Sequence, residues 1–217
     1  MKDALSGASG RLGILGGTFN PVHSGHLIVA EAARQKLELD QVVFIPSAVP
    51  PHKSIHHSTR VRDRLAMLKL GIGNNPHFTY SDIEMKRPGR SYTVDTLREI
   101  RAGAQKGLNV FFLIGTDNLR DFHTWKEPET VVTLCTIILL TRPGYEDLPL
   151  PGFLKDRVRQ VEVPQIQISS TRIRGMVKKG KSIKYLVPEA VEKYIRRHRF
   201  YKSKETSPCG PPLKGDR

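Results

Sequence analysis

The 217-residue sequence predicts an α/β domain built on a parallel sheet with helices on both faces. Three observations lead there. Short apolar runs alternate with stretches of helical periodicity along the chain. The residues able to do chemistry fall just after the apolar runs, where parallel sheets bind ligands. The length fits one α/β domain with one sizeable core and a small helical segment at its C-terminal end.

Arg11 to Gly17 reads as a short buried strand that ends in a glycine turn. Leu27 to Leu37 has Leu27, Ala30, Ala33 and Leu37 on one helical side. Val42 to Ile45 is an apolar β-branched strand that Pro46 ends, and Pro46 to Thr59, rich in proline and histidine, reads as a loop. Arg60 to Leu70 looks helical, Phe78 to Ile83 is a further strand candidate, and Thr93 to Ala104 is a helix with Thr93 as its N-cap. Strands follow at Val110 to Ile114 and Thr136 to Leu140, with a weaker one at Gln160 to Val163. Thr171 to Lys178 and Pro188 to Arg197 form the terminal helical segment. The organisation expected is a flexible N-terminus over 1–10, one domain over 11–200, and a disordered basic tail over 201–217, rich in Lys, Ser, Gly and Pro.

Composition narrows the function classes. No apolar run approaches the ~20 residues of a membrane helix. The longest, Val131 to Leu140, is interrupted by Thr133 and Thr136 and reads as a buried strand. The polar start has no signal-peptide core, so no membrane partner and a cytoplasmic location are expected. Cys135 sits in an apolar run and Cys209 in the tail, which argues against a disulfide and for Cys135 as a small core residue. No zinc-ligand spacing occurs; His52, His56 and His57 read as mobile loop residues. The net charge is +14, and residues 172–217 hold 14 Lys and Arg against 4 Asp and Glu. Such a basic end suits anions. Without base-stacking aromatics or a recognised module, phosphate ligands rank ahead of nucleic acid.

Two segments carry the chemistry. The first runs Gly16-Gly17-Thr18-Phe19-Asn20-Pro21-Val22-His23-Ser24-Gly25-His26-Leu27, between a strand and a helix. The glycines let backbone N–H groups approach a phosphate. His23 and His26 share one side of the helix start, where imidazoles donate to phosphate oxygens and, when protonated, offset growing negative charge. Gly25 leaves room for a bulky ligand. The segment matches neither a Walker A loop nor a dinucleotide fingerprint. The second runs Ile168-Ser169-Ser170-Thr171-Arg172-Ile173-Arg174, where hydroxyls precede a helix and the Arg174 fork suits a polyphosphate. A plain glycine turn with surface histidines, and an ordinary capped helix with solvated arginines, are the bland alternatives. Together the two segments read as the jaws of a phosphate clamp.

At these residues the sequence resembles the bacterial nicotinate-nucleotide adenylyltransferases of the H-x-G-H nucleotidyltransferase superfamily, whose fold is Rossmann-like. Pro50-Pro51-His52-Lys53, Ser91-Tyr92-Thr93-Val94-Asp95-Thr96-Leu97, and Gly115-Thr116-Asp117-Asn118-Leu119 with Trp125 extend the resemblance from Leu12 to Arg197. Asn20 departs from it, since the family often has Asp there. The resemblance implies transfer of AMP from ATP to nicotinate mononucleotide in NAD biosynthesis. It makes His23, His26 and Arg174 the catalytic residues. Gly16, Gly17, Thr18, Phe19, Gly115, Asp117, Ser169, Ser170 and Thr171 would line the ATP site with them. Lys53, Tyr92, Thr93, Asp95 and Trp125 would hold the acceptor: Lys53 at its phosphate, the Thr93 N–H at the pyridine carboxylate, Trp125 stacked on the ring. Mg²⁺ would be held mainly by ATP phosphates, with no protein metal site, and no covalent intermediate would form. The resemblance leaves room for a homo-oligomer. From the residues alone, Trp125 reads equally as a core aromatic, Lys53 as a solvated lysine and Asp117 as a helix cap. The rival functions are transfer to nicotinamide mononucleotide or phosphopantetheine, and a basic nucleic-acid-binding protein on an old nucleotide fold.

Overall fold

Six strands hydrogen-bond side by side in the order β3-β2-β1-β4-β5-β6, every neighbouring pair parallel. The computed structural model describes residues 5, 7–49, 59–141, 152–154 and 157–202. The strands are β1 (Arg11–Gly17), β2 (Gln41–Pro46), β3 (Phe78–Tyr80), β4 (Asn109–Gly115), β5 (Thr136–Thr141) and β6 (Val158–Glu162). This is the doubly wound order, in which the chain leaves the sheet centre in one direction through β2 and β3, then returns to build the other half from β4. The parallel sheet with helices on both faces is therefore as the sequence predicts.

Period-two alternation splits the strand side chains between two cores. Val42 and Phe44, Phe111 and Leu113, and Ile138 and Leu140 face one side. There they meet helices α1 (Ser24–Lys36), α2 (Val61–Ile72), α7 (Ser170–Lys178) and α8 (Glu189–Arg197). Val43 and Ile45, Val110, Phe112 and Ile114, and Ile137 and Leu139 face the other. Helix α4 (Thr93–Gly103) covers that side with the short α3 (Ile83–Lys86), α5 (Thr116–Arg120) and α6 (Pro128–Leu134). Each such side chain, fully buried, contributes about 1.5–3 kcal/mol over its exposed state. Truncating one, as in Phe44→Ala, would cost roughly 3–5 kcal/mol.

Four sequence expectations change. The run Val131 to Leu140 is half helix and half strand: Pro128 starts α6, and Cys135, with φ −152° and ψ 162°, breaks it before β5. Cys135 is buried as expected, and burial pushes its thiol up to about 12. Phe78 to Ile83 yields only a three-residue strand before α3. The N-terminal segment is tied down where it is described. Leu5 is buried in the second core, and the Gly7 N–H donates to the Gly103 carbonyl. The domain also includes Tyr201, which packs against the first core, whereas 203–217 lie outside the described residues with Cys209. Among the described residues no helix is long and apolar enough to cross a membrane.

Candidate active site

A pocket opens beyond the carboxyl ends of β1 and β4, where the strand order switches direction. Gly16, Gly17, Thr18 and Ser47 line one wall, and Tyr92, Thr93 and Trp125 the other. Ile14, Phe112 and Ile114 line its strand side, and Asn118, Asp121 and Lys126 also contribute.

The first wall is set by the turn between β1 and α1. At Gly17 a Cβ would stand 3.0 Å from Cζ of Phe19, so a side chain there would press on that ring. Phe19 takes a left-handed backbone (φ 47°), and its buried ring meets the His26 ring edge-on at 5.1 Å. The Asn20–Pro21 peptide is cis. His23 caps α1: its Nδ1 accepts from the His26 N–H, while His26 Nδ1 accepts from the His23 N–H. This is a reciprocal capping box made of imidazoles rather than Ser and Glu. The two rings stack with centroids 3.6 Å apart. Because each Nδ1 accepts a backbone proton, each Nε2 carries the ring hydrogen in the neutral form. Burial lowers the His23 pKa from 6.5 to about 4, and burial with the neighbouring His23 lowers that of His26 to about 3. At neutral pH the pair is therefore two neutral donors, not the cations the sequence reading allowed for. The space beside Gly25 is also not free for a ligand. A Cβ there would sit 3.1 Å from His23 Nδ1 and 3.2 Å from Ile166 Cγ2, so the glycine makes room for the stacked histidine.

Helix α7 is clipped to the same turn. Ser169 is its N-cap and accepts from the Arg172 N–H. The Ser170 hydroxyl donates to the Pro21 carbonyl at 2.9 Å. Arg174 donates to the Asn20 carbonyl at 2.9 Å and to the Thr171 hydroxyl at 3.2 Å. The two jaws are thus joined by protein contacts, with Ser170 and Arg174 engaged as fasteners. Asn20 is buried, and its Oδ1 accepts from the Tyr201 hydroxyl while its Nδ2 has no partner among the described residues. Burial pushes the Tyr201 phenol up to about 12, which keeps it a donor. An Asp at position 20 would accept that bond equally well, so the Asn costs the turn only an unpaired N–H.

The second wall begins at the start of α4. Tyr92, not Thr93, is the N-cap, and no side chain caps it. The 11-residue helix thus begins at the pocket, at Thr93, with no side chain capping its first N–H groups among the described residues. Asp95 does not line the pocket. Its carboxylate pairs with Lys126 Nζ at 3.1 Å and so holds a cation that does. One side of Trp125 rests on Phe122, with centroids 4.8 Å apart, and on Phe112, so it is both a core aromatic and a pocket wall. Asp117 is exposed on α5 just past β4, following the Gly115 N-cap. Glu84 is buried in the pocket lining; burial raises its pKa, and Thr96 donates to it at 3.0 Å.

The pocket gathers Gly16, Gly17, Thr18, Tyr92, Thr93 and Trp125 from the predicted set. His23, His26, Ser170 and Arg174 cluster at the adjoining turn. Lys53 and His52, His56 and His57 lie outside the described residues. Sequence reading missed Ser47, Glu84, Lys126 and Tyr201. Only Lys126, next to Trp125 and four residues after Phe122, carried a local signal.

The cytidylyltransferase-like family model matches residues 14–176. The "Probable nicotinate-nucleotide adenylyltransferase" of Moorella thermoacetica is 44% identical over 202 residues, covering 89% of this chain and 92% of that protein. The protein of the same name from Thermomicrobium roseum is 45% identical over 201 residues, covering 90% and 93%. Among solved structures, Plasmodium falciparum nicotinic acid mononucleotide adenylyltransferase complexed with NaAD is similar, with a TM-score of 0.72. At 20% identity, over 88% of this chain and 97% of that one, it supports the fold alone.

Proposed function

This chain belongs to the cytidylyltransferase-like family and, within it, to the nicotinate-nucleotide adenylyltransferases, and from that premise we propose how its pocket transfers AMP from ATP to nicotinate mononucleotide. The observation that carries the reading is the pairing of the two walls. One presents a glycine turn and two neutral imidazole donors, and the other an uncapped helix start beside a tryptophan.

ATP lies along the Gly16–Phe19 turn, with its phosphates at the Nε2–H groups of His23 and His26 and at the α7 start. A phosphate oxygen of the acceptor attacks the α-phosphorus in line. The new O–P bond forms as the bond to the β-phosphate oxygen breaks, and pyrophosphate leaves. The nucleophile is already anionic, so no general base is needed; positioning and charge stabilisation supply the rate. Arg174 releases or shares its hold on Asn20 to meet the pyrophosphate, and Asp117 receives the adenosine ribose hydroxyls. Mg²⁺ would be held mainly by the ATP phosphates and would lessen their charge, while the protein meets that end with N–H donors. Among the described residues no group of three or more His, Cys, Asp or Glu could hold a metal ion.

The acceptor ring stacks on the open face of Trp125 and turns its carboxylate to the N–H groups at Thr93. A carboxylate satisfies those donors; an amide would point its own NH₂ at them, and a buried mismatch of that kind discriminates strongly. Lys53 would meet the acceptor phosphate as a point charge. The test is pyrophosphate release from ATP and Mg²⁺ with nicotinate mononucleotide, nicotinamide mononucleotide or phosphopantetheine. The expected preference for the first over the second is at least ~10²-fold in kcat/KM. Equal efficiencies would remove the carboxylate-reading role from the α4 start, and turnover of phosphopantetheine alone would overturn the reading.

A further inference from the structure

Arg64 is fully buried, and among the described residues none of its hydrogen-bond partners is a carboxylate; Glu84 acts on it only through its field. It lies on α2, behind the pocket. Its guanidinium donates to three backbone carbonyls: Thr18 at 2.6 Å, Ser47 at 2.7 Å and Ala48 at 3.3 Å. A buried cation without an ion pair is expensive, and a structural staple alone could be made from neutral donors.

The opposite ends of those three peptides differ. In a trans peptide the N–H points away from the carbonyl. Two of the N–H groups, of Ala48 and Val49, end on the Ser91 hydroxyl oxygen at 3.1 and 3.3 Å. The third, of Phe19, has no acceptor among the described residues. It belongs to the turn whose Gly17 and Thr18 line the pocket. Phe19 is held in a left-handed backbone, so its peptide is fixed in direction rather than free to turn.

We propose that Arg64 is a positioning residue for phosphate binding: gripping the Thr18 carbonyl, it aims the Phe19 N–H at a phosphate oxygen of the nucleotide, and its charge strengthens that contact through the peptide dipole. The anion in turn offsets the buried cation, so the protein is poised for a negative ligand before one arrives. This rests on the phosphate-binding reading of the Gly16–Phe19 turn.

The test compares Arg64→Lys with Arg64→Gln. Both keep a donor for the carbonyls, and only Lys keeps the charge. The expected result is a loss of about tenfold or more in kcat for Gln, with Lys recovering most of it, at similar apo Tm for the two variants. Equal kcat in the two folded variants would reduce Arg64 to a staple and overturn the proposal. A second measurement needs no variant. Titrating ¹⁵N-labelled wild-type protein with inorganic pyrophosphate should shift the Phe19 amide proton downfield, further than those of Ala48 and Val49. An unmoved Phe19 amide would overturn the proposal. This readout needs no acceptor, so it stands apart from a failure to adenylylate nicotinate mononucleotide, which would sink the functional reading instead.

Discussion

The two walls of the pocket are built by opposite means. The β1–α1 turn is closed on itself: His23 and His26 cap each other, α7 is clipped to Asn20 and Pro21, Tyr201 holds the Asn20 side chain, and Arg64 grips the turn from behind. The α4 side is open. Its helix start is uncapped, Trp125 is backed on one side only, and Lys126 and Asp95 are partly exposed. A transferred adenylyl group is the same for every acceptor, so its site gains from rigidity. The acceptor must be distinguished from near copies, and selection works through groups left unpaired until the right partner arrives. Substitutions in the closed wall should therefore cost turnover, and those in the open wall should cost acceptor binding.

The largest expected effect lies in the closed wall. His26→Ala or His23→Ala should lower kcat by roughly 10²–10³-fold with the fold intact, because each removes a fixed donor where charge develops. Each also removes half of the reciprocal cap. Near-normal turnover in both variants would end the proposed mechanism and the contrast with it. In the open wall, Trp125→Ala should weaken nicotinate and nicotinamide acceptors alike by about 1–2 kcal/mol, five- to thirtyfold in KM, with kcat little changed. A loss in kcat as large as that of the histidine variants would erase the division of labour.

Much of this division was legible in the sequence. The spacing of His23 and His26, the glycines before them and the Ser169–Arg174 segment announced the closed wall, because its contacts run within or between short segments. Strand positions were legible because each central strand is a dense apolar run. What stayed hidden depends on distant partners. Arg64 looks like one more basic residue of α2 until Thr18 and Ser47 fold onto it, and Tyr201 begins what composition reads as a tail. Val131–Leu140 misled because a buried helix turn and a buried strand share one apolar composition.

The closed wall also makes the protein sensitive to acid. In the unfolded chain each histidine titrates near 6.5; in the fold they bind protons only near 4 and 3. Above pH ~6.5 both states carry neutral rings and the pair has no pH effect. Between about 6.5 and 4 the unfolded state binds more protons, so stability falls as pH falls, by up to about 1.4 kcal/mol per pH unit for each ring. His26→Asn should flatten the drop in Tm between pH 7 and 5 relative to the wild type. An unchanged slope would mean that the rings are not held neutral. Bound ATP should flatten it as well, since phosphates at Nε2 favour protonation.

The smallest effect on turnover concerns the last fastener of the closed wall. Tyr201 donates to Asn20 Oδ1 and packs against the first core, so a deletion of residues 201–217 removes more than a tail. It would leave Asn20, buried and lacking a partner at Nδ2 among the described residues, without its Oδ1 bond as well. The cost expected is about 1–3 kcal/mol, or several degrees in Tm for a domain of this size. Deleting only 203–217 spares Tyr201 and should leave Tm and turnover nearly unchanged. Tyr201→Phe keeps the ring and removes the hydroxyl, so it should recover the packing and retain a loss of about 1 kcal/mol. Asn20→Asp should keep the Tyr201 bond. If Tyr201→Phe matches the wild type in both Tm and kcat, the hydroxyl contributes nothing and the turn is held by its other contacts, those of Arg174, Ser170 and Arg64 among them. If it lowers kcat more than its stability loss explains, Tyr201 also sets the position of Asn20 relative to the histidines, and the closed wall extends to Tyr201.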